Sequence, residues 1–151
     1  MDEDNYRSTY SQYNELPCLF EKAVLQQCCK CHLARHFNLA ERIGVACSEA
    51  SAQQQCREFL SIMREKSIFA LQLTPSADGK LPHAKKIKIQ CGGINGLHLL
   101  ESEGTPDKDV NLLMTRAVSQ YGSVAKLPFE QIIRSVVAFE GRKRRSNQKK
   151  S

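Results

Sequence analysis

No run of apolar residues in this chain of 151 approaches the roughly 20 needed to cross a bilayer, so a membrane-spanning helix is excluded. The opening MDEDNYRSTYSQYNE is acidic and polar. It lacks the basic segment and apolar stretch of a secretory signal, and the expected location is cytoplasmic. The usual catalytic patterns are missing as well. His32 and His36 stand four apart, the spacing of two metal ligands on one helix face, but no acid accompanies them in a metalloprotease motif. They read as helix-surface or capping histidines. Gly92-Gly93-Ile94-Asn95-Gly96 has no Lys-Ser/Thr follower and no GxGxxG spacing, which excludes a phosphate-binding loop of either kind. No Ser–His–Asp set or histidine-associated carboxylate pair can be assembled, and the reading leans away from an enzyme.

The body also lacks net charge. Of 22 basic and 16 acidic residues, six basic ones (Arg142, Lys143, Arg144, Arg145, Lys149 and Lys150) lie in residues 142–151, which contain no acid. Removing them leaves 16 basic groups against 16 acidic ones, so a generally basic nucleic-acid-binding globule is excluded. The tail itself can neutralise phosphates and release counterions. Having no aromatic residue, it offers no base stacking. Weak, nonspecific contact with nucleic acid or an acidic protein is the most it supports. His83, Lys85, Lys86 and Lys88 form a smaller basic group that reads as a solvated edge.

Three regions follow: an acidic, disordered lead-in over 1–14, a single domain over 15–141, and a disordered basic tail over 142–151. Residues 1–14 contain no aliphatic side chain with which to bury surface. From Pro17 to about Phe37, Phe20, Val24, Cys28 and Cys31 beside Leu25, Cys29 and Leu33 make two adjacent stripes at helical spacing. Gly44 marks a turn. Ser48 is the expected cap of a second helix through Cys56, Phe59, Leu60 and Met63 toward Ile68 or Leu71. His83–Cys91 reads either as a strand paired with residues 69–73 or, preferably, as a short helix opened by Pro82 and closed by Gly92-Gly93. Thr105-Pro106-Asp107 starts a helix ended by Gly122, and a last amphipathic helix runs from Pro128 to Glu140. The expected fold is a mostly α domain of four to five helices, including an antiparallel helical hairpin and at most a minor β-hairpin.

What the chain does have is sulfur. Six of its seven cysteines, Cys18, Cys28, Cys29, Cys31, Cys47 and Cys56, fall within residues 18–56, and Cys91 stands alone in Gln-Cys-Gly-Gly. A CxxC…CxxC pair is missing, and Cys28-x-x-Cys31 is a single half-motif. On one helix Cys18 and Cys31 would sit about 20 Å apart, too far to share a metal centre unless the helix breaks. An antiparallel hairpin brings Cys31 toward Cys47 and Cys18 toward Cys56, and a glycine-rich loop delivers Cys91. Cys47 precedes a helix N-terminus, whose dipole favours thiolate.

Three readings remain open. Cys31, Cys47 and Cys91, with Cys56 or Cys18 as the fourth ligand, hold one metal. An iron–sulfur cluster is favoured because its ligands can be dispersed, while structural zinc usually takes paired knuckles. Alternatively, Cys18–Cys56 and Cys31–Cys47 (or Cys28–Cys47) are disulfides stapling a hairpin. In the third reading all seven are packing residues.

The segments LPCLFEKAVL, CHLARHFNLAER and LPHAK…QCGG resemble a family of small bacterial proteins for which no activity carries over, across most of residues 16–140. The resemblance implies interest in Cys18, Cys31, Cys47, Cys56 and Cys91, with Cys28 and Cys29 peripheral. The expectation is an iron–sulfur protein serving electron transfer or redox sensing beside a redox partner, with zinc as the alternative metal. A metal-free interaction module using the basic tail is the competing reading.

Overall fold

A computed structural model describes residues 3–101 and 107–141. The order of elements is α1 (Glu3–Tyr13), α2 (Glu21–Leu25), β1 (Ala34–Leu39), β2 (Arg42–Cys47), α3 (Ala50–Ala70), α4 (His83–Leu100), α5 (Val110–Tyr121), a 3-10 turn (Val124–Lys126) and α6 (Phe129–Ala138). Helices dominate, as the patterning predicts, and the described residues include one minor antiparallel hairpin, which lies over 34–47, where a helix and its turn are expected, rather than between 69–73 and 87–91. Among the described residues no helix is long and apolar enough to cross a membrane. The basic tail 142–151 and Thr105-Pro106 lie outside the described residues.

The lead-in is helical rather than disordered, because tertiary contacts supply what its own composition lacks. The Tyr10 and Tyr13 rings lie 5.7 and 5.0 Å from Phe37, and Arg42 stacks 4.2 Å over Tyr6. Asn14 Nδ2 donates to the Val45 carbonyl at 3.1 Å. Glu21 completes the junction: one carboxylate oxygen accepts from Tyr10 Oη at 2.5 Å and from the buried Val45 N–H at 2.7 Å.

The helix expected over 17–37 is instead a single short helix, a turn and a strand. Pro17 pairs with Ala46 at the edge of the hairpin and starts no helix. α2 stops where Gln27 adopts φ 62° and Cys28 N–H bonds back to the Ala23 carbonyl at 3.0 Å. The hairpin turns on Ala40 and Glu41, both at positive φ, the conformation that matches a two-residue loop to strand twist. Its register sets Ala34 opposite Cys47 and Phe37 opposite Gly44. The expected pairing of helices 17–37 and 48–71 is therefore replaced by a β-hairpin packed beside α2 and α3.

α3 begins at Ala50 after Glu49. Ser48 stands outside it, donating to the Leu33 carbonyl at 2.6 Å and accepting from Arg35 Nε at 3.0 Å. α4 is helical, as preferred, but runs straight through Gly92-Gly93. The reason is α6: a Cβ on Gly92 would lie 2.5 Å from Val136 Cα and one on Gly96 2.9 Å from Ile132 Cα. Matching 92 with 136 and 96 with 132 makes the two helices antiparallel, their backbones in contact through the small residues. The core is built from Phe20, Phe59, Met63, Ile94, Met114, Ile132 and Val136, all buried. The rings of Phe20, Phe59 and Phe129 stack in sequence at 6.2 and 6.0 Å.

Candidate metal centre

Because the first helix ends at Leu25, Cys18 and Cys31 are not held on one rod, and the separation that kept them apart in the sequence disappears. Cys18, Cys31, Cys47 and Cys56 line one small cavity of about 20 Å³, with Phe20, Leu33, Ala34, Ala52 and Val110 among its apolar walls. Four separate segments supply the four thiols, two of them the elements β2 and α3 and two of them connecting turns.

Cys18 rides on the segment hydrogen-bonded to β2: its N–H donates to the Val45 carbonyl at 3.0 Å, and Cys47 N–H donates to the Leu16 carbonyl at 2.7 Å. Cys47 ends β2, and its thiol donates to the Glu49 carbonyl at 3.3 Å. Cys56 comes from the second turn of α3. Buried Gln53, one turn earlier, donates from Nε2 to the Pro17 carbonyl at 3.0 Å and ties that helix to the Cys18 segment.

Cys31 is positioned by a residue the sequence reading missed. Asp109, 3 % exposed, caps α5 by accepting from Leu112 N–H. Its carboxylate also accepts from His32 N–H at 2.9 Å and lies 3.1 Å from His32 Nδ1. Lys30 N–H donates to the Lys108 carbonyl and Val110 N–H to the Lys30 carbonyl, at 3.0 and 2.8 Å. Residues 30–32 are thereby zipped to 108–110, which aims the N–H groups of Leu33 and Asn111 at the Cys31 sulfur. His32 and His36 consequently share no helix face. His32 sits in a turn against Asp109, and His36 lies on β1. The signal available in the sequence was an Asp immediately before an apolar helical stripe, obscured by the stronger-looking Thr105-Pro106-Asp107.

Burial pushes the Cys18 and Cys56 thiols up to about 12, and raises Cys31 as well. Opposing this, the Phe20 N–H hydrogen-bonds to the Cys18 sulfur, as Leu33 and Asn111 do to Cys31. Such N–H donors stabilise negative sulfur once a metal has displaced the protons. All seven cysteines are free thiols. No group of three or more His, Cys, Asp or Glu side chains among the described residues is arranged to hold a metal ion as it stands, so loading requires the four sulfurs to adjust.

Cys91 does not join them. It lies inside α4, fully buried, and burial first, then the neighbouring Cys28 and Cys29, hold its thiol neutral. The expected glycine loop is helix here, and its glycines serve α6 rather than sulfur. The thiols thus fall into two groups: Cys18, Cys31, Cys47 and Cys56 around the cavity, and Cys28, Cys29 and Cys91 beside it. Comparison of the chain with family models, with curated proteins and with solved structures gives no match.

Proposed function

We propose that this chain is a metal-binding protein whose centre is held by Cys18, Cys31, Cys47 and Cys56, with an iron–sulfur cluster as its cofactor and electron transfer or redox sensing in the cytoplasm as its role. The observation that carries the reading is the convergence of four thiols from four separate segments of the chain on one apolar cavity. Four thiolates complete the ligand set of such a cluster, and dispersed ligands suit it better than they suit a zinc knuckle. The N–H donors of Phe20, Leu33 and Asn111 would offset the charge gathered on sulfur. The cluster would supply one-electron chemistry. The residues of this chain would bind it, exclude water through Phe20, Ala52 and Val110, and tune it through those N–H groups.

Zinc is the second reading, favoured by size. A cavity of about 20 Å³ has room for roughly one atom-sized occupant, so a cluster requires the Cys18 and Cys31 segments to spread, whereas a single ion requires the sulfurs to draw in. Anaerobic purification followed by an absorption spectrum and iron, sulfide and zinc analysis separates the two. Visible absorption with iron and sulfide in equal amounts supports the cluster. A colourless protein with one zinc supports the second reading, and a chain with neither metal, unable to take up either when reconstituted, removes both.

A further inference from the structure

Phe69, on the last turn of α3, is the most exposed large apolar side chain among the described residues, at 87 %. The turn that carries it is closed by a cap. Gln72, at φ 53°, lets Leu73 N–H reach the Ile68 carbonyl at 2.9 Å, while its own N–H donates to the Phe69 carbonyl at 3.3 Å. These are the paired bonds of a Schellman cap, and they hold the ring's helical turn in place. Beside the ring a groove of about 790 Å³ opens between the end of α3 and the start of α6, lined by the apolar side chains of Ile68, Phe129 and Ile133. A second hollow of about 390 Å³ shares Lys66, Phe129 and Glu130 with it and extends the groove toward Leu127. Around the rim stand Glu65, Lys66, Glu130 and Arg134, all exposed and two of each sign. None of the four forms an ion pair with another described residue, although Glu130 and Arg134 are one turn apart on α6. Lys66 instead lies 5.9 Å over the Phe129 ring.

We propose that this face is a self-association surface, and that its occupant is a second copy of this chain related by a two-fold axis. In such a pair the same patch serves on both sides, so it must complement itself. That requires a projection with a hollow beside it, and charges of both signs. Phe69 and the groove meet the first requirement: each ring can enter the apolar groove of the other copy. The rim meets the second, since two acids and two bases pair across the axis with no net charge left over. A rim of one sign would repel its own copy and require a partner of the opposite sign. An aromatic anchor in an apolar groove, ringed by charged side chains, is also the arrangement that concentrates binding energy at an interface. The four-thiol cavity shares no residue with this groove, so pairing is independent of the metal-binding reading.

The test is sedimentation equilibrium of the full chain in reducing buffer, so that none of its seven cysteines links two chains. The expected mass is twice 17.0 kDa, falling to that of one chain on dilution. Phe69→Ser should raise the dissociation constant about tenfold or more. Two double variants read the charges. Glu65→Lys with Glu130→Lys makes the rim wholly basic, and Lys66→Glu with Arg134→Glu makes it wholly acidic. Every substituted position is exposed, so the core is left intact. Each double variant alone should be monomeric, and the two mixed in equal amounts should form a one-to-one pair. A single-chain mass at all concentrations up to about 1 mM, or a dimer unchanged by Phe69→Ser, would overturn the proposal. So would double variants that self-associate as wild type does, or a mixture of the two that stays monomeric.

Discussion

The Asp109 carboxylate grips His32 twice, accepting its backbone N–H at 2.9 Å and facing its ring Nδ1 at 3.1 Å, while the same side chain caps α5 through Leu112. One buried acid thus fixes both the start of α5 and the turn carrying Cys31. Asp109→Ala removes the cap and strands the His32 and Leu112 N–H groups, a combined cost of about 2–4 kcal/mol. Asp109→Asn retains one acceptor and should lose about half as much. Urea unfolding measures the stability, and, under the proposed metal-binding role, metal per chain reports the loosened Cys31. An alanine variant as stable as wild type, with full metal content, would show that Asp109 positions nothing.

The raised thiols give the metal-free protein a defined alkaline weakness. Cys18 and Cys56 ordinarily ionise near 9.0, and burial moves both up to about 12 in the folded chain. Between those values the unfolded chain has released the protons that the folded chain retains. Stability is therefore full below pH 9 and falls as pH rises toward 12, by at most about 1.4 kcal/mol per pH unit for each thiol. Tyr10, raised by burial and by Glu21, titrates in the same region, so the comparison must be with a thiol variant. Cys56→Ala should show a shallower loss than wild type over pH 9–12. Parallel curves would contradict buried, neutral thiols.

A third expectation concerns Glu21, which joins α1 to β2. Removing its carboxylate leaves the Val45 N–H, on a residue with no exposed surface, without a partner, at about 1–3 kcal/mol. Glu21→Ala should also lower the Tyr10 ionisation, because Glu21 is the second cause of its rise after burial. Ultraviolet titration of the phenol reads this directly, and an unmoved Tyr10 would mean that the 2.5 Å contact does not persist in solution.

Much of the helical architecture was legible because its signals are local: Gly122 does end α5 and the Pro128 segment does form α6. What escaped was decided at a distance. Cys28, Cys29, Cys31 and Leu33 fit helical stripes, yet the same residues pack equally well in a turn, and only pairing of 30–32 with 108–110 selects the turn. α1 has no aliphatic residue of its own and borrows Phe37 and Glu21. The four-thiol group was foreseen as two pairs at opposite ends of a helical hairpin. Breaking that helix merges the pairs, and it also moves Cys91 out of the set and toward Cys28, which the family resemblance leaves peripheral.

The closeness of α4 and α6 makes a glycine test with an internal control. In an ordinary helix interior, glycine to alanine gains roughly 1 kcal/mol. At Gly92 the added carbon would meet Val136 Cα at 2.5 Å, a backbone atom that cannot swing aside. Separating the helices also loosens the contacts of Ile132 and Val136, and overpacking of this kind costs about 1–3 kcal/mol or more. The steric term wins, and Gly92→Ala and Gly96→Ala should both destabilise. Gly93, the adjacent residue, faces the Met63 methyl at 3.3 Å and the Phe59 ring at 3.4 Å. Because the methionine tip can move, Gly93→Ala should be near neutral. Thermal unfolding of the three variants checks the order, and an equal effect at 92 and 93 would mean that α4 and α6 are not in backbone contact.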